Sequence, residues 1–356
     1  MIKINQRPSI LCYLVTCIAY VSSTLLVVIS LGSGCERHKS AVKINGTTMG
    51  TQYAVTVADR GKRDPGVLEG EIETLLEVIN ATMSTYDPAS ELSRLNKNRT
   101  TAWIPISEDL YTVLRTSVSV GIDSGGAFDA TVGPLVNLWG FGPDRGIPMV
   151  PGGDTLAKAR TRVGVDMFEL QERPHAFRKR HPDVYVDLSG VAKGYAVDRV
   201  ATLLQSTGHI NYLVDIGGEF RAKGRNSKGQ EWTIGIEGPV NGGRLIAIRR
   251  TIVLRNAGLA SSGNYRNYFE RDGVRYGHTI DPRTGAPVQH NLAAVTVLDE
   301  TAMLADAWAT ALMSLGFQAG RRVAEEHDLS VYFIVTEGEG TRSYTTPAFD
   351  LAVGDR

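Results

Sequence analysis

An apolar segment in the last fifth of the chain contains a single charged side chain. Residues 301–313 have the sequence TAMLADAWATALM, in which Asp306 is the only acidic or basic residue. An ionised carboxylate is costly to bury unless it is paired or bound to a metal. On a helix, Asp306 and Thr310 share one face because they are four residues apart, and two hard oxygen donors suit Mg²⁺. The alternative is an aspartate hydrogen-bonded to the backbone of a neighbouring loop.

A second segment combines a carboxylate, a glycine turn and a lysine. Residues 184–188 (VYVDL) predict a short strand that leads through Gly190 into a helix over residues 191–206, with Lys193 in its first turn. The amino-terminal end of a helix binds anions, and a nearby lysine suits a phosphate, although the Walker A spacing is absent. The sequence leaves open whether Asp187 is a metal ligand, a ribose hydrogen-bond acceptor or a helix cap.

Three glycine-containing loops and one histidine complete the candidate groups. In residues 125–142, glycines permit close approach of the backbone to a ligand and aromatic side chains could stack on a planar ring, but the composition alone favours a tightly turned loop with a local aromatic core. The turns in residues 216–219 and 260–265 indicate no chemistry by themselves. His278 ends a predicted strand before an Asp-Pro turn, a context in which histidine is more often structural than catalytic.

Regular elements of both kinds must position these groups. Asp64-Pro65 predicts a helix start, and residues 300–315 and 317–327 predict two consecutive helices. Strands are predicted at 212–216, 330–336 and 267–280, the last interrupted by a hairpin turn at Asp272-Gly273. This mixture predicts an α+β (mixed α/β) architecture in two lobes.

The amino terminus predicts export. Lys3 and Arg7 precede an uncharged stretch over residues 10–31, and small residues lead to Cys35, the order of a secretory signal. Residues 1–34 are therefore predicted to be a lipoprotein-type signal with Cys35 as the lipidated residue, or else an uncleaved membrane anchor. We expect a membrane-anchored protein, an inner-membrane lipoprotein facing the periplasm, with a linker over residues 35–45 and the functional domain over residues 46–350.

Composition limits the class of function. The chain has 38 Lys+Arg, 38 Asp+Glu and 42% hydrophobic residues, and it has no cysteine after position 35. The apolar content is too high for a disordered chain, and the balanced charge gives no basic footprint for nucleic acid. A thiolate metal site, an internal disulfide and a cysteine nucleophile are excluded from the exported domain.

Together these segments resemble the ApbE family of FAD:protein FMN transferases over about Thr47 to Tyr344. The motifs that carry the resemblance are Thr48–Thr51, Met83–Asp87 with Ser90 and Asn96, Gly126–Asp129 through Trp139–Gly142, Asp187–Asp198, Ser262–Arg266, His278–Gly285 and Ala305-Asp306-x-x-x-Thr310. The resemblance implies an ApbE-like, T-fold-like architecture. It also implies that FAD binds as a substrate with Mg²⁺ on its pyrophosphate, that a Thr or Ser hydroxyl of an exported flavoprotein takes up FMN, and that AMP leaves.

The resemblance also assigns residues. The matching FAD-contacting positions are Met49, Tyr86, Ala127, Phe128, Asp129, Asp187, Lys193 and Ile280. The matching Mg²⁺ positions are Gly190 (through its backbone carbonyl), Asp306 and Thr310. His278 lies near the reacting centre, and its pKa range suits a proton acceptor, so His278 and Asp306 are the predicted catalytic residues.

Two positions depart from the family pattern. Gly32 stands where the lipoprotein box has Leu, Val or Ile, and Gly190 replaces a side-chain oxygen found in some relatives. Two other functions fit the same motifs: a metal-dependent FAD pyrophosphatase that produces FMN and AMP, and a flavin-binding lipoprotein without enzymatic activity.

Overall fold

The structure is a computed structural model that describes residues 41–59, 63–143, 149–240, 245–264 and 268–354. The predicted signal segment and Cys35 lie outside the described residues. The chain from residue 40 onward forms one compact unit. Among the helices of the described ranges, none combines the length and the apolar character that crossing a membrane requires.

Strands and helices alternate irregularly along the chain. The strands are β1 (Val42–Thr48), β2 (Thr51–Val57), β3 (Ile104–Pro105), β4 (Phe168–Gln171), β5 (Ala176–Lys179), β6 (Tyr212–Ile216), β7 (Glu219–Lys223), β8 (Trp232–Val240), β9 (Leu245–Leu254), β10 (Gly258–Gly263), β11 (Tyr268–Arg271), β12 (Val274–Gly277), β13 (Ile280–Asp281), β14 (Ala286–Pro287), β15 (Leu292–Asp299), β16 (Ser330–Glu337) and β17 (Gly340–Thr345). The helices are α1 (Pro65–Met83), α2 (Glu91–Lys97), α3 (Glu108–Asp123), α4 (Gly133–Leu138), α5 (Gly153–Arg160), α6 (Ala192–Ser206), α7 (Ala302–Glu326) and α8 (Pro347–Val353). The predicted mixed α+β class is confirmed.

One eight-stranded sheet organises the described residues. Its strand order is β1-β2-β6-β7-β10-β15-β16-β17, and every neighbouring pair is antiparallel. Helices α6 and α7 pack on one face, and the main hydrophobic core lies between them and the sheet. In β6, Tyr212, Val214 and Ile216 are buried while the alternate residues are half-buried, as the two-residue period of a strand requires.

Local signals predicted several element boundaries. The side chain of Asp64 accepts hydrogen bonds from the amides of Gly66 and Val67 and so caps α1. Gly316 has φ 74° and ψ 176°, which interrupts α7. The two consecutive helices expected on either side of that position are therefore confirmed, and so is the hairpin turn at Asp272-Gly273 between β11 and β12.

The predicted strand over residues 184–188 is wrong, since this segment pairs with no strand. The side-chain amide of Asn96 takes the place of a neighbouring strand. Its Nδ2 donates to the Val186 carbonyl at 2.8 Å, and its Oδ1 accepts from the Val186 amide at 2.8 Å. The next amide, that of Asp187, donates to the Ala130 carbonyl at 2.7 Å. Side-chain and loop partners thus hold the segment extended beside the glycine-rich loop.

Candidate active site

A cavity of about 990 Å³ opens between the sheet, α7 and the loops that follow β12. Its volume lies at the upper end of the range for small-molecule sites. The predicted residues that line it are Tyr86, Ala127, Phe128, Asp129, Asp187, Gly190, Lys193, His278, Ile280, Asp306 and Thr310. The fold therefore brings together candidates from segments that are far apart in the sequence.

Met49 is the described candidate that is not part of the lining. It lies in the turn between β1 and β2 with φ 49°, and it packs against the main hydrophobic core. Its neighbours Thr51 and Gln52 do line the cavity, so the turn that contains Met49 borders the site.

Helix α7 presents Asp306 and Thr310 to the cavity, as the spacing predicts. The Thr310 hydroxyl lies 3.4 Å from the Gly190 carbonyl oxygen. A β-carbon on Gly190 would lie 2.8 Å from Thr310 Oγ1, so only glycine permits this approach of the turn to the helix. This close approach is the structural reason for glycine at this position, and it could not be predicted from the sequence.

The carboxylate of Asp306 is buried, with 4% of its surface exposed. Its Oδ2 accepts a hydrogen bond from the Gly194 amide at 3.0 Å, whereas Oδ1 accepts none from the described residues. The alternative considered for Asp306, a hydrogen bond to backbone, is thus present, and the residue also lines the cavity. The expected anion-binding amide at the start of α6 is occupied by this carboxylate.

Lys193 joins Asp306 to a carboxylate that sequence reasoning missed. Its Nζ lies 2.5 Å from Glu219 Oε1. Glu219 is only 3% exposed, and its Oε2 is buried without a hydrogen-bond partner. Glu219 begins β7 immediately after the Gly217-Gly218 turn, and a two-residue hairpin there pairs it with buried Ile216. That pairing, had it been predicted, would have marked Glu219 as an acid on a buried face.

The electrostatics of this cluster favour an added cation. Burial lowers the pKa of Lys193, but the negative charges of Asp306 and Glu219 outweigh it and raise that pKa, so the ammonium stays protonated. Burial raises the pKa of Asp306 and of Glu219, and Lys193 offsets the effect only in part. One ammonium therefore faces two buried carboxyl groups whose pKa values are both raised, that of Glu219 to about 8, so a bound cation would favour their ionised forms.

This donor set fits Mg²⁺. Asp306 Oδ1, the Thr310 hydroxyl and the Gly190 carbonyl are hard oxygen atoms in one region of the cavity. The described residues contain no group of three or more His, Cys, Asp or Glu side chains able to hold a metal. Mg²⁺ characteristically binds through one or two carboxylates and completes its coordination with water and substrate phosphates, so a sparse site of this kind suits it.

The glycine-rich loop forms one wall of the cavity and is held firmly. Asp129 Oδ1 accepts both the amide and the hydroxyl of Thr131, each at 2.7 Å, and burial raises the pKa of Asp129. The Trp139 indole donates to the Gly285 carbonyl at 2.8 Å, which joins this loop to the segment that begins at His278. A cavity wall held in place by these hydrogen bonds is suited to packing against a planar ring.

The remaining candidates lie around the same space. Asp187 Oδ1 accepts the amide and hydroxyl of Ser189 at 2.8 and 2.5 Å, a local cap that leaves the residue in the cavity lining. Tyr86 is 59% exposed at the rim. His278 follows β12, is half-buried and lines the cavity.

The fold and this site define a class of protein built on an antiparallel sheet with a large nucleotide-sized cavity. The ApbE family matches residues 49–333, and the chain belongs to that family. A protein of Haemophilus influenzae named "FAD:protein FMN transferase" is 42% identical over 335 residues, which cover 92% of this chain and 96% of that protein. A protein of the same name from Vibrio cholerae is 42% identical over 318 residues, covering 89% and 94% of the two chains.

Solved structures agree with the sequence comparison. The "Flavin Transferase ApbE from Vibrio cholerae" superposes with a TM-score of 0.82 at 40% identity, covering 88% of this chain and 99% of that one. The apo flavinyl transferase ApbE of Pseudomonas stutzeri superposes with a TM-score of 0.82 at 37% identity, covering 89% and 98%. The recognition of the family from sequence motifs is confirmed.

Proposed function

We propose that the chain transfers the FMN part of FAD to a Thr or Ser hydroxyl of an acceptor protein and releases AMP. The observation that carries the proposal is the cavity in which the flavin-contacting positions implied by the family resemblance, except Met49, meet Asp306, Thr310 and Gly190. Two relatives that are 42% identical to this chain are named "FAD:protein FMN transferase".

The reaction exchanges one phosphorus–oxygen bond for another. The acceptor oxygen bonds to the phosphorus on the FMN side, the bond from that phosphorus to the oxygen of AMP breaks, and AMP leaves with that oxygen. The proton of the attacking hydroxyl passes to the imidazole of His278. Because phosphoryl transfer needs mainly positioning and charge stabilisation, the chain's principal task is to fix these groups in place.

Asp306, Thr310 and the Gly190 carbonyl are the residues that would hold Mg²⁺. When bound, the cation supplies positive charge to the pyrophosphate and the departing AMP. The chain's own residues prepare this position: the Gly194 amide fixes one oxygen of Asp306 at 3.0 Å, and Glu219 holds the ammonium of Lys193. The ammonium thereby interacts with both carboxyl groups and not with Asp306 alone.

The decisive experiment incubates the protein with FAD, Mg²⁺ and an acceptor flavoprotein domain, followed by mass spectrometry of the denatured acceptor. Transfer predicts equal amounts of AMP and of acceptor carrying FMN on a Thr or Ser. AMP and free FMN with no labelled acceptor would instead identify a FAD pyrophosphatase. Tight FAD binding with no AMP at all would identify a flavin-binding protein without enzymatic activity.

His278 gives a sharper test of the mechanism. We expect His278→Ala to retain FAD affinity and to slow FMN transfer by about a hundredfold, the usual contribution of a general base. The rate is measured in single turnover with saturating acceptor, and FAD binding by flavin fluorescence. An unchanged single-turnover rate would exclude His278 as the proton acceptor while leaving the transfer itself intact.

We also propose that the protein is exported and lipid-anchored and that it modifies exported flavoproteins. The order of basic, apolar and small residues before Cys35 supports this location. Fatty-acid labelling in cells tests it: the native chain should incorporate the lipid, and Cys35→Ser should not. A native chain that carries no lipid but remains in the membrane fraction would indicate an uncleaved anchor.

A further inference from the structure

Strand β10 is paired on one side along its whole length and on the other side only in part. It pairs with β15 from Gly258 to Gly263, but with β7 only at Gly258 and Leu259. Beyond Leu259, the side of β10 that faces β7 has no strand against it among the described residues. The main sheet thus contains a short open edge in its interior.

The open edge follows from how tightly β6 turns into β7. Gly217 and Gly218 form a two-residue hairpin loop with φ 67° and 99°, the conformation that such hairpins require. Strand β7 therefore begins at Glu219 and cannot extend alongside the last residues of β10.

The backbone groups on this edge can be assigned from the alternation of the ladder. The Ala222 amide donates to the Ala257 carbonyl at 3.1 Å, and the Asn264 amide donates to the Ala293 carbonyl at 3.3 Å. Odd-numbered residues of this strand thus point towards β7 and even-numbered ones towards β15, because both polar groups of a residue point to the same side of an antiparallel strand. Ser261 and Gly263 therefore direct their amides and carbonyls to the open side.

The open edge belongs to the cavity. Ser261, Ser262 and Gly263 line it together with His278 and Asp306, and Ser261 is exposed. The outer strands β1 and β17 also have free edges, but none of their described residues lines the cavity. Unsatisfied backbone groups on a strand edge are a template for another extended chain.

We infer that the acceptor protein binds by laying an extended segment against Ser261–Gly263 as an added strand, with its reactive hydroxyl residue facing the cavity. This inference rests on the proposed function, since it identifies how the protein substrate of that reaction is held. Main-chain hydrogen bonds give such strand addition its affinity. Adjacent residues on one side of a strand are about 7 Å apart, so the two amides that point to the open side match alternate residues of an extended polypeptide and do not match a single planar ring.

The first test removes one of these amides. Ser261→Pro lacks the outward amide and places a ring where the added strand would lie, at a position where an edge strand accepts proline. Ser261→Ala is the matched control: it loses the same hydroxyl, which contacts Thr296 Oγ1 at 2.8 Å, but keeps the amide. Both are assayed with an acceptor flavoprotein domain that the native chain labels with FMN, with KM for the acceptor and Kd for FAD as readouts.

We expect the proline variant to have an acceptor KM about tenfold above that of the alanine variant, with Kd for FAD within twofold of native. Equal acceptor KM values in the two variants would overturn the inference. A parallel loss of FAD affinity would also overturn it, by assigning the edge to the flavin. Absence of labelling by the native chain is a different result, because it removes the proposed function itself.

A second measurement needs no variant of the enzyme and applies even if the proline variant does not fold. Amide exchange is followed in the native chain with FAD and an acceptor domain whose target residue is replaced by alanine. The Ser261 and Gly263 amides should exchange more slowly on binding, while the Ser262 amide, which points to β15, should not change. Unchanged exchange at both odd-numbered positions under saturating acceptor contradicts strand addition.

Discussion

Two carboxylates at the junction of α6 and α7 have opposite surroundings. Asp198 accepts three hydrogen bonds, from the Ala302 amide at 3.0 Å, the Met303 amide at 2.9 Å and the Arg221 guanidinium at 3.0 Å. Asp306 lies on α7, about one turn after Ala302 and Met303, and among the described residues it accepts a hydrogen bond only from the Gly194 amide. Both are acidic side chains largely removed from water, but only Asp198 has partners for both oxygens.

The difference separates a structural carboxylate from a functional one. Asp198 satisfies the first amides of α7, which have no partner within their own helix, and so fixes the start of that helix against α6. Asp306 lines the cavity and has one oxygen that accepts no hydrogen bond from the described residues, an arrangement that costs stability unless a ligand completes it. A buried carboxylate with too few hydrogen-bond donors therefore marks the candidate active site more reliably than burial or charge alone.

The largest expected effect comes from Asp306→Ala, which should reduce FMN transfer by on the order of 10³-fold while the free energy of unfolding stays the same or rises. Activity is followed as acceptor-bound flavin at several Mg²⁺ concentrations, and unfolding by urea. Asp306→Asn removes the negative charge but keeps the size of the side chain and an acceptor for the Gly194 amide, so it tests the contribution of the charge alone. Full Mg²⁺-dependent transfer by the alanine variant would remove the metal assignment.

Asp198→Ala should show the reverse pattern. We expect a loss of about 2 kcal/mol in the free energy of unfolding, because a helix cap is lost and the Arg221 charge is left unpaired. Transfer per folded molecule should stay within a few-fold of native. A urea titration that shows native stability for this variant would contradict its structural role.

Glu219 lies between these two cases, since one of its oxygens is paired and the other is not. Burial raises the pKa of Glu219 to about 8, so the comparison is made above pH 8, where Glu219 is ionised. Glu219→Gln then leaves the ammonium of Lys193 with Asp306 as its sole ionised partner, which should raise the Mg²⁺ concentration for half-maximal transfer about tenfold, a cost near 1.4 kcal/mol. Glu231→Gln, which breaks the exposed ion pair with Arg255 at 2.7 Å, is the matched control. Identical Mg²⁺ dependence in both variants would show that Glu219 does not act on the metal position.

The smallest expected effect concerns Asp59, which follows β2 and has a hydrogen-bond partner for each of its two carboxylate oxygens. Burial raises its pKa, but donors on His209, Ile210 and Asn211 outweigh burial and hold the pKa below the ordinary value of 3.8. A depressed pKa gives stability that is present above the unfolded-state pKa and is lost as pH falls through the folded-state value. We therefore expect native protein to lose stability relative to Asp59→Asn as the pH falls from 5 to below 3.8, measured by urea unfolding. Parallel pH profiles would contradict this.

Features that depend on neighbours in the chain were predicted well from the sequence. Helical periodicity predicts the helix over residues 301–313 and places Asp306 and Thr310 on one face of it. The backbone freedom of glycine accounts for the interruption at Gly316. The motifs distributed between Thr47 and Tyr344 were sufficient to place the chain in its family.

Features that depend on distant partners were not predicted. Residues 184–188 have the composition of a strand, but Asn96 supplies the hydrogen bonds that a neighbouring strand would have supplied. Propensity describes the preference of a segment and not the partner available to it, so the error arose where a side chain replaced a strand.

The sequence by itself determined the family, the mixed helix and strand content, and the one-turn spacing of the acid and the hydroxyl, because each is encoded within a short stretch of chain. Only the tertiary structure decided that Glu219 shares Lys193 with Asp306, that Gly190 contacts Thr310, and that β10 keeps an open edge. These relations join residues far apart in the chain, and their positions are fixed by packing and strand order rather than by local sequence.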